Sequence, residues 1–506
     1  MRMVKTLLLG SAASIVGVAG AQAADLPVKA KPVEYVKVCN LYGVGFYYVP
    51  GTDTCIQVGG VVRADYGWNV TGARTTHYSG TAGAQDRTVS PYSTRQRAQL
   101  SIDTRTQTAY GTVRTFEVFK LENENQGTVT PNMPRAFIQW AGFTFGHTKS
   151  FTDPFGGHGG GDFDALHQVQ NQSDSGSNGT NQIAYTWELG NGNSLSVGGD
   201  ERRTKAITNL SNAGAVSVGA AAVDSSHGMQ NPTPWVTFKS IQSWGKWSLA
   251  AIGNINHATY YGAAPGIPGY APGAGCIAQP LTTFCTSPSD KWGFAVLGGF
   301  EAKAFWDTPG SRFGARFGYS QGASAYGGGS NLASPNLFAG GNNVALGVMT
   351  DSVFVNGSAL QLTTAWGVGA AYEHYWTRNF ASTLLGSYTE VNYNNAVVAS
   401  RVFCGGGGAV AQNINFTGLP GPASCDPSFK FWSVGSHTDW YPVNGFRLAI
   451  EAFYTNIGTA FKGAQVSLAK STGARPTGVY TARDQGIVSL IFRAERRFPV
   501  AGDAVD

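Results

Sequence analysis

The chain has 506 residues, of which 68 are glycine, 42% are hydrophobic and 13% are charged, with a formal net charge of +5. This much apolar material excludes an intrinsically disordered chain, and so small a net charge argues against a nucleic-acid partner. Past residue 23 no apolar run approaches the ~20 residues that a membrane-spanning helix needs, which disfavours a helical membrane protein. A large β protein rich in glycine and aromatic residues remains.

The first 23 residues are typical of a cleavable secretory signal. Arg2 and Lys5 give a positively charged start, a short apolar stretch follows, and Ala23 ends a small-x-small cleavage site. We therefore predict a signal peptide over residues 1–23, with a short N-terminal anchor helix as the alternative. Residues 24–54 are predicted to form a periplasmic segment ahead of the first strand.

Six cysteines fall into three pairs that are close in sequence: Cys39 with Cys55, Cys276 with Cys285, and Cys404 with Cys425. Their surroundings are rich in glycine, proline, serine and threonine. In an exported chain an even number of loop cysteines indicates disulfides, and the spacings match neither a zinc site nor a haem-attachment motif. Because six cysteines allow many connectivities, the local pairing is a preference among alternatives.

Apolar and polar residues alternate with period two in many segments, which is typical of strands with two unlike faces. In the clearest segment Val58 and Tyr66 lie on one face, whereas Arg63 and Asp65 lie on the other. The pattern predicts about sixteen strands, over 56–68, 95–105, 110–121, 134–140, 142–150, 182–189, 194–201, 234–242, 247–256, 291–304, 311–320, 361–375, 379–392, 429–441, 446–456 and 485–498.

The connections between these segments largely alternate between short and long. The long ones are 151–181, 202–233, 257–290, 321–360, 393–428 and 457–484, and each exceeds the ~15 residues usual in a compact domain. An up-and-down barrel with short turns on one rim and long loops on the other has this order. Closure also satisfies every backbone group that faces lipid. We predict an all-β transmembrane antiparallel barrel over residues 55–498, followed by a C-terminal tail over 499–506.

Aromatic side chains near the strand ends fit the two girdles of such a barrel. They are Tyr66, Trp68, Trp140, Trp187, Trp292, Trp376, Trp432 and Trp440.

Residues 36–60 (VKVCNLYGVGFYYVPGTDTCIQVGG) resemble the start of the mature general porins of alphaproteobacteria, the rhizobial type. The segments 104–107, 110–114 and 135–139 are similar to that family as well, and the likeness extends over nearly the whole mature chain. The resemblance implies a sixteen-stranded barrel in the bacterial outer membrane, usually a homotrimer, whose third long loop folds inward. It also implies passive diffusion of ions and small hydrophilic solutes.

By position, the inward-folded loop corresponds to residues 151–181. The residues predicted to line a constriction are the wall arginines Arg63, Arg95, Arg97, Arg105, Arg114 and Arg135 and the loop carboxylates Asp153, Asp162 and Asp164. Arg114 is assigned on weaker grounds because Phe116 and Val118 share its face unless a bulge shifts the phase. Arginines opposed to carboxylates would set a transverse field across the pore. The alternative is that several of these charges pair structurally or lie at the rim.

The sequence contains one match to an enzymatic motif, but not the local structure that this motif needs. Residues 318–322 match G-x-S-x-G, but the strand-to-helix turn that this motif needs is replaced by a loop rich in glycine and serine. We expect no enzyme activity, no metal and no cofactor, with membrane lipid, solutes and further copies of the chain as partners. A substrate-selective channel and a secreted β-rich adhesin are the alternative functions.

Overall fold

The computed structural model describes the following residues: 37–72, 74–78, 89–155, 175–176, 178–203, 205–212, 214–218, 222–262, 285–329, 334–405, 414, 416–468 and 477–498. Several predictions lie outside them, namely the signal peptide, most of the periplasmic segment, Asp162, Asp164, Cys276 and the C-terminal tail.

Sixteen antiparallel strands form one closed barrel. They are β1 (Thr54–Trp68), β2 (Tyr92–Thr108), β3 (Gly111–Glu124), β4 (Thr130–Trp140), β5 (Phe143–Thr148), β6 (Thr180–Gly190), β7 (Asn193–Asp200), β8 (Thr233–Gln242), β9 (Gly245–Asn256), β10 (Lys291–Lys303), β11 (Arg312–Gln321), β12 (Thr364–Thr377), β13 (Phe380–Asn392), β14 (Phe429–Val443), β15 (Phe446–Gly458) and β16 (Gln485–Phe498). Each strand pairs with its sequence neighbours, and β1 also pairs with β16, which closes the barrel. The predicted sixteen-stranded barrel is confirmed, and each predicted segment overlaps one of these strands.

One rim of the barrel carries short turns, and the other carries long loops except for the five-residue loop 125–129. The turns are 109–110, 141–142, 191–192, 243–244, 304–311, 378–379 and 444–445. The loops, numbered 1 to 8 in chain order, are 69–91, 125–129, 149–179, 201–232, 257–290, 322–363, 393–428 and 459–484. Gly192 and Gly445 both have a φ of 73°, which a tight turn accepts from glycine without strain. Because outer-membrane barrels have short periplasmic turns, the loops lie at the extracellular rim.

The outer face of the barrel is apolar, with aromatic residues toward both rims. Val62 is 58% exposed on the outer face of β1, whereas its neighbour Arg63, which points inward, is 5% exposed. Trp68 and Trp292 lie near the extracellular rim, and Trp376 near the periplasmic rim, all of them exposed. This alternation is what a barrel surrounded by hydrocarbon needs. Within the described residues no helix is long and apolar enough to cross a bilayer.

Loops 1, 4, 6, 7 and 8 fold together above the barrel into what we call the extracellular cap. Loops 6, 7 and 8 share a five-stranded sheet of short strands, Asn336–Leu337, Asn343–Leu346, Gly478–Ala482, Gln465–Leu468 and Phe416–Gly418. A second sheet joins Ala206–Asn209 of loop 4 to Thr350–Phe354 and Gln361–Leu362 of loop 6. Loop 6 contains the helical turn Ser324–Gly327, and loop 7 contains the helical turns Asn395–Ser400, Val402–Cys404 and Pro422–Cys425.

The cap contains the largest hydrophobic cluster among the described residues. Leu337 and Val344 of loop 6, Phe403 of loop 7 and Val466 of loop 8 are fully buried in it. The cluster continues onto inward-facing residues at the extracellular ends of the strands, such as Phe431. The disulfide between Cys404 and Cys425, with 6.0 Å between the Cα atoms, closes part of loop 7. The cap is therefore a folded unit that rests on one side of the barrel mouth.

Smaller elements complete the fold. Loop 1 contains a hairpin of Val70–Thr71 and Thr75–Thr76, and loop 5 contains a pair of Tyr261–Gly262 with Cys285–Thr286. Ahead of the barrel, the short helix Asn40–Tyr42 leads to strand Tyr47–Tyr48, which pairs with β1. A disulfide joins Cys39 to Cys55 of β1. Two of the three predicted disulfides are thus present, and the third involves Cys276, outside the described residues.

Candidate pore lining

The inner face of β1–β4 is strongly charged. Its cations are Arg63, Arg95, Arg97, Arg105, Arg114, Lys120 and Arg135, and its carboxylates are Asp65, Asp103, Glu122 and Glu124. All six arginines predicted on the wall therefore point inward. Arg114 does so together with the buried Phe116 and Val118, so this face of β3 is mixed rather than uniformly polar.

Asp65 of β1 is the centre of a buried ion-pair network where the barrel closes. Its carboxylate lies 2.5 Å from Arg95 Nη2 of β2 and 2.6 Å from Arg493 Nε of β16. Next to it, Arg63 Nε is 2.5 Å from Glu495 Oε2 of β16. Register explains the arrangement, because Asp65 lies directly opposite both Arg95 and Arg493 on the two neighbouring strands. The first and last strands are therefore joined by charge as well as by backbone hydrogen bonds.

Glu122 of β3 extends this network along the wall. It accepts a hydrogen bond of 3.0 Å from Arg97 and lies 3.3 Å from Arg95 and 3.0 Å from Lys120. Three cations therefore surround one carboxylate, which leaves this part of the wall with an excess of positive charge.

Asp103 is a second carboxylate that pairs with more than one cation, and it lies nearer the periplasmic rim. Arg105 and Arg114 lie 2.9 Å and 3.0 Å from its carboxylate oxygens. The Arg105 guanidinium also lies 4.9 Å from the centre of the Phe46 ring, in the disulfide-closed segment ahead of β1. That N-terminal segment is therefore packed against the periplasmic end of the charged wall.

The first residues of loop 3, up to Phe155, lie against the inner wall of the barrel, and residues 156–174 are outside the described part of the chain. Phe151 stacks on the inward-facing Trp235 of β8, with ring centres 5.6 Å apart. The Phe155 backbone N–H then donates to Ser248 Oγ of β9 at 3.1 Å, and the Phe155 carbonyl lies against the inner face of Gly299 on β10. The loop leaves β5, and residues 151–155 therefore follow the inner faces of β8, β9 and β10.

Asp153 holds the two ends of this loop together. It accepts hydrogen bonds from the Ser175 backbone N–H at 2.9 Å and from Ser175 Oγ at 2.6 Å. Arg203, at the start of loop 4, lies 3.5 Å from the same carboxylate. Arg135 of β4, buried in the wall, lies beside Gly179 at the end of the loop.

Among the described residues, Arg63, Arg95, Arg97, Arg105 and Arg114 form ion pairs with carboxylates of the wall. Asp162 and Asp164, the other predicted carboxylates, lie outside the described residues, so opposition across the constriction stays a prediction.

The inner wall of β10–β15 carries charged groups of both signs. Arg312 of β11 lies 2.6 Å from Glu373 and 3.2 Å from Glu301, on the strands to either side. On β14 and β15, Arg447 Nη2 is 2.6 Å from Asp439, and His437 lies between Asp439 and Glu451 at 3.1 Å and 3.3 Å. These residues were not predicted as pore lining, and the period-two signal that identified the arginines would also have identified them.

With this geometry in place, comparison with known proteins identifies the family. The sequence profile of the porin subfamily matches residues 25–491. The chain belongs to this porin subfamily. It is accordingly an integral β-barrel of the bacterial outer membrane.

Curated relatives cover part of this porin. Porin Omp2b of Brucella suis biovar 1 is 38% identical over 219 residues, which are 39% of this chain and 55% of the relative. Porin Omp2b of Brucella canis is 36% identical over the same shares. The chain therefore spans about half the length of the curated relatives it matches.

Among solved structures, the outer membrane channel DcaP of Acinetobacter baumannii is similar in fold. It aligns with a TM-score of 0.52 and 12% identity, over 89% of this chain and 99% of that channel. The alignment supports the barrel architecture. Within the described part of the chain, no group of three or more His, Cys, Asp or Glu side chains is arranged to hold a metal ion.

Proposed function

We propose that this porin forms a water-filled pore for the passive diffusion of ions and small hydrophilic solutes. The observation that carries the proposal is a closed barrel whose outer face is apolar while its inner wall carries many charged groups, most of them on β1–β4 and β16. Residues 151–155 of loop 3 support it, because a segment that lies against the inner wall narrows the lumen. The excess of cations on β1–β4 favours anions among the ions that pass.

Planar-bilayer recording tests the proposal. Wild-type protein should give single-channel steps, with a reversal potential that indicates anion preference in a salt gradient. The double variant Arg95→Gln, Arg97→Gln should shift the reversal potential toward cations, because it removes two inward positive charges. Low salt makes the shift larger, since screening is weaker there.

Arg496→Gln is the matched control. It replaces arginine by glutamine in the same way, but Arg496 lies on the outer face of β16. Its reversal potential should equal that of the wild type. Heat-modifiable gel mobility confirms that every variant is a folded barrel. A folded wild-type barrel that gives no conductance steps would support the adhesin alternative, and saturation by one solute class would support a substrate-selective channel.

We infer that copies of the chain assemble as a homotrimer through the outer face of β1–β4. Glu117 points outward in the middle of β3, between Ile102 of β2 and Ala136 of β4. Close by, the outward-facing Thr104 and Thr115 share a hydrogen bond of 2.6 Å. A carboxylate in contact with lipid is costly, so this polar patch is better covered by protein than by hydrocarbon.

Glu117→Lys should therefore reduce the trimer fraction on unheated gels and in light scattering. Glu390→Lys, an outward-facing position on β13, is the control and should leave the oligomer unchanged. If the two variants have the same trimer fraction, the trimer interface does not lie on β1–β4.

A further inference from the structure

The inward-facing arginines of β2 lie at two different levels along the barrel axis. Arg95 and Arg105 are ten residues apart on this strand. At about 3.4 Å per residue and a tilt near 40°, they are separated by about 26 Å along the axis. Arg95 belongs to the network around Asp65 near the extracellular end of the strand, whereas Arg105 is three residues from its periplasmic end.

The level near the periplasmic rim has a positive charge that water can reach. Arg105 and Arg114 lie directly opposite each other on β2 and β3, and both pair with the carboxylate of Asp103. Two guanidinium groups and one carboxylate leave an excess of one positive charge. The side chains of Arg105 and Arg114 are 24% and 15% exposed, compared with 2% for Arg95. This pair is therefore more accessible to an anion than Arg95 is.

Aromatic rings hold both guanidinium groups in place. That of Arg105 lies 4.9 Å from the centre of the Phe46 ring and 5.5 Å from the centre of the Tyr42 ring. That of Arg114 lies 5.2 Å from the centre of the Phe116 ring. A guanidinium within about 6 Å of a ring centre is attracted to the ring. Phe116 belongs to β3, but both ring partners of Arg105 belong to the N-terminal segment, so the position of Arg105 depends on that segment.

The N-terminal segment lies on the inner face of the barrel at this level. Its disulfide ends at the inward-facing Cys55 of β1. Two residues farther along β1, Gln57 Nε2 donates to the Val44 carbonyl at 3.0 Å. On β2 the Gln107 Oε1 accepts a hydrogen bond of 3.4 Å from the Tyr42 hydroxyl. Because it lies against the inner wall, the segment narrows the periplasmic mouth.

Backbone pairing fixes the same segment to the barrel. β1 extends six residues beyond the end of β16, since Phe498 lies opposite Gly60. Strand Tyr47–Tyr48 pairs with this extension of β1, whose other edge is paired with β2. The segment therefore continues the wall where β16 has ended.

We propose that the Arg105–Arg114 pair, together with the disulfide-closed segment over it, is a second site of anion selectivity at the periplasmic mouth. This inference rests on the proposed pore function and extends it. Small inorganic anions such as chloride meet this charge as they leave the pore for the periplasm. Since the segment narrows the mouth, these anions pass close to Arg105.

Single-channel recording in salt gradients of both directions tests the proposal. A charge near one mouth is screened by the solution on that side, with a Debye length of about 10 Å at 0.1 M salt and about 3 Å at 1 M. Arg105→Gln should therefore shift the reversal potential toward cations about twofold more when the dilute solution is on the periplasmic side. Streptavidin bound to a biotinylated Lys462→Cys, at an exposed position of loop 8, reports the orientation of each channel.

Arg97→Gln is the matched control, because it makes the same change on the same strand, eight residues nearer the extracellular end. Its shift should not be larger when the dilute solution is on the periplasmic side.

Releasing the segment tests its part in the site. Cys39→Ser with Cys55→Ser should raise the single-channel conductance and lower the anion preference measured with dilute periplasmic solution. The same change at the other disulfide, Cys404→Ser with Cys425→Ser, should leave that preference unchanged. Heat-modifiable gel mobility shows which variants are folded barrels.

The outcomes separate this inference from the pore function. If channels conduct but Arg105→Gln shifts the reversal potential equally in the two gradients, the second site is overturned. If folded Cys39→Ser with Cys55→Ser has the conductance and selectivity of the wild type, the role of the segment is overturned. A folded wild-type barrel without conductance steps would overturn the pore function itself, and this inference with it.

Discussion

The ion-pair network around Asp65 in the inner wall and the core of the extracellular cap both bury their side chains almost completely, but they bury opposite kinds of group. Asp65 and Arg95 in the wall are 0% and 2% exposed, as little as Phe403 and Val466 in the cap. In the wall, burial is achieved by ion pairs between neighbouring strands. In the cap, it is achieved by packing of apolar side chains from five loops.

The difference shows that burial alone does not identify the hydrophobic core of a membrane barrel. The strands place their apolar side chains outside, where lipid covers them, so charged groups are left to fill the inner wall. The loops extend into water and cannot use lipid, so they must build their own core. The two regions should therefore respond differently to mutation.

The largest effect is expected from Asp65→Asn in the wall. This change leaves Arg95 and Arg493 without the charge that they share, and breaking a buried pair costs about 3–5 kcal/mol. Urea unfolding of the detergent-solubilised barrel measures the loss.

Asp484→Asn is the control for this change. Asp484 forms an exposed pair with Lys462 at 3.4 Å, and an exposed pair contributes below about 1 kcal/mol. If both variants lose the same stability, the wall pairs do not hold the barrel closed.

The next effect is expected from removing the cap disulfide. Its cysteines are 21 residues apart, and a closed loop of that length stabilises by about 3 kcal/mol. Cys404→Ser with Cys425→Ser should speed amide hydrogen exchange in loops 6, 7 and 8 while β1–β3 exchange as before. Faster exchange in the barrel strands as well would show that the cap and barrel open together.

A smaller loss should follow from Val466→Ala in the cap core. Val466 is 0% exposed, and removing two buried carbons with partial collapse of the cavity costs about 2 kcal/mol. Val479→Ala is matched to it, because Val479 lies on the paired strand of the same hairpin and is 45% exposed. Proteolysis of loop 8 should accelerate in the first variant and stay unchanged in the second.

The smallest effect concerns pH and Asp351 in the cap. Burial raises the pKa of the Asp351 carboxyl, which accepts hydrogen bonds from Ser324 and from the Lys205 backbone. The folded cap therefore holds this proton more tightly than the unfolded chain does. The cap should gain stability as pH falls through the raised pKa toward the ordinary value of 3.8, at no more than about 1.4 kcal/mol per pH unit.

Amide exchange of residues 350–354, corrected for intrinsic rates, measures this dependence. The asparagine in Asp351→Asn cannot titrate, so this variant should lose the part of the pH dependence of cap stability that Asp351 causes. Asp484→Asn should keep that pH dependence. A cap that loses protection as the pH falls from the raised pKa of Asp351 toward the ordinary value of 3.8 would contradict the assignment.

The alternation of residues along the strands determined most of the barrel from sequence. Arg63, Asp65 and Val62 have their inward or outward direction fixed by parity alone, since neighbouring side chains in a strand point to opposite faces. Arg114 was harder, because its neighbours Phe116 and Val118 are apolar but also point inward. The local disulfide Cys39–Cys55 could also be predicted from the sequence, because its two cysteines are only 16 residues apart.

Other features depend on contacts between distant segments. The pairing of Asp65 with Arg493, 428 residues apart, needs the closure of the barrel to bring β16 beside β1. The cap was missed because loops 6, 7 and 8 have no shared pattern in sequence, and only their meeting above the mouth makes their apolar residues a core. The row of small lipid-facing residues Ala315, Ala370 and Gly386 arises in the same way, since the three residues lie in different strands.

By itself the sequence determined the number of strands, the face that each strand residue occupies and which connections are long, because these follow from short-range periodicity and turn chemistry. Tertiary structure alone decided which charges are partners, which loops share a core and where small residues line up on the lipid face. Those outcomes depend on the register between strands and on loop packing, which bring together residues far apart along the chain.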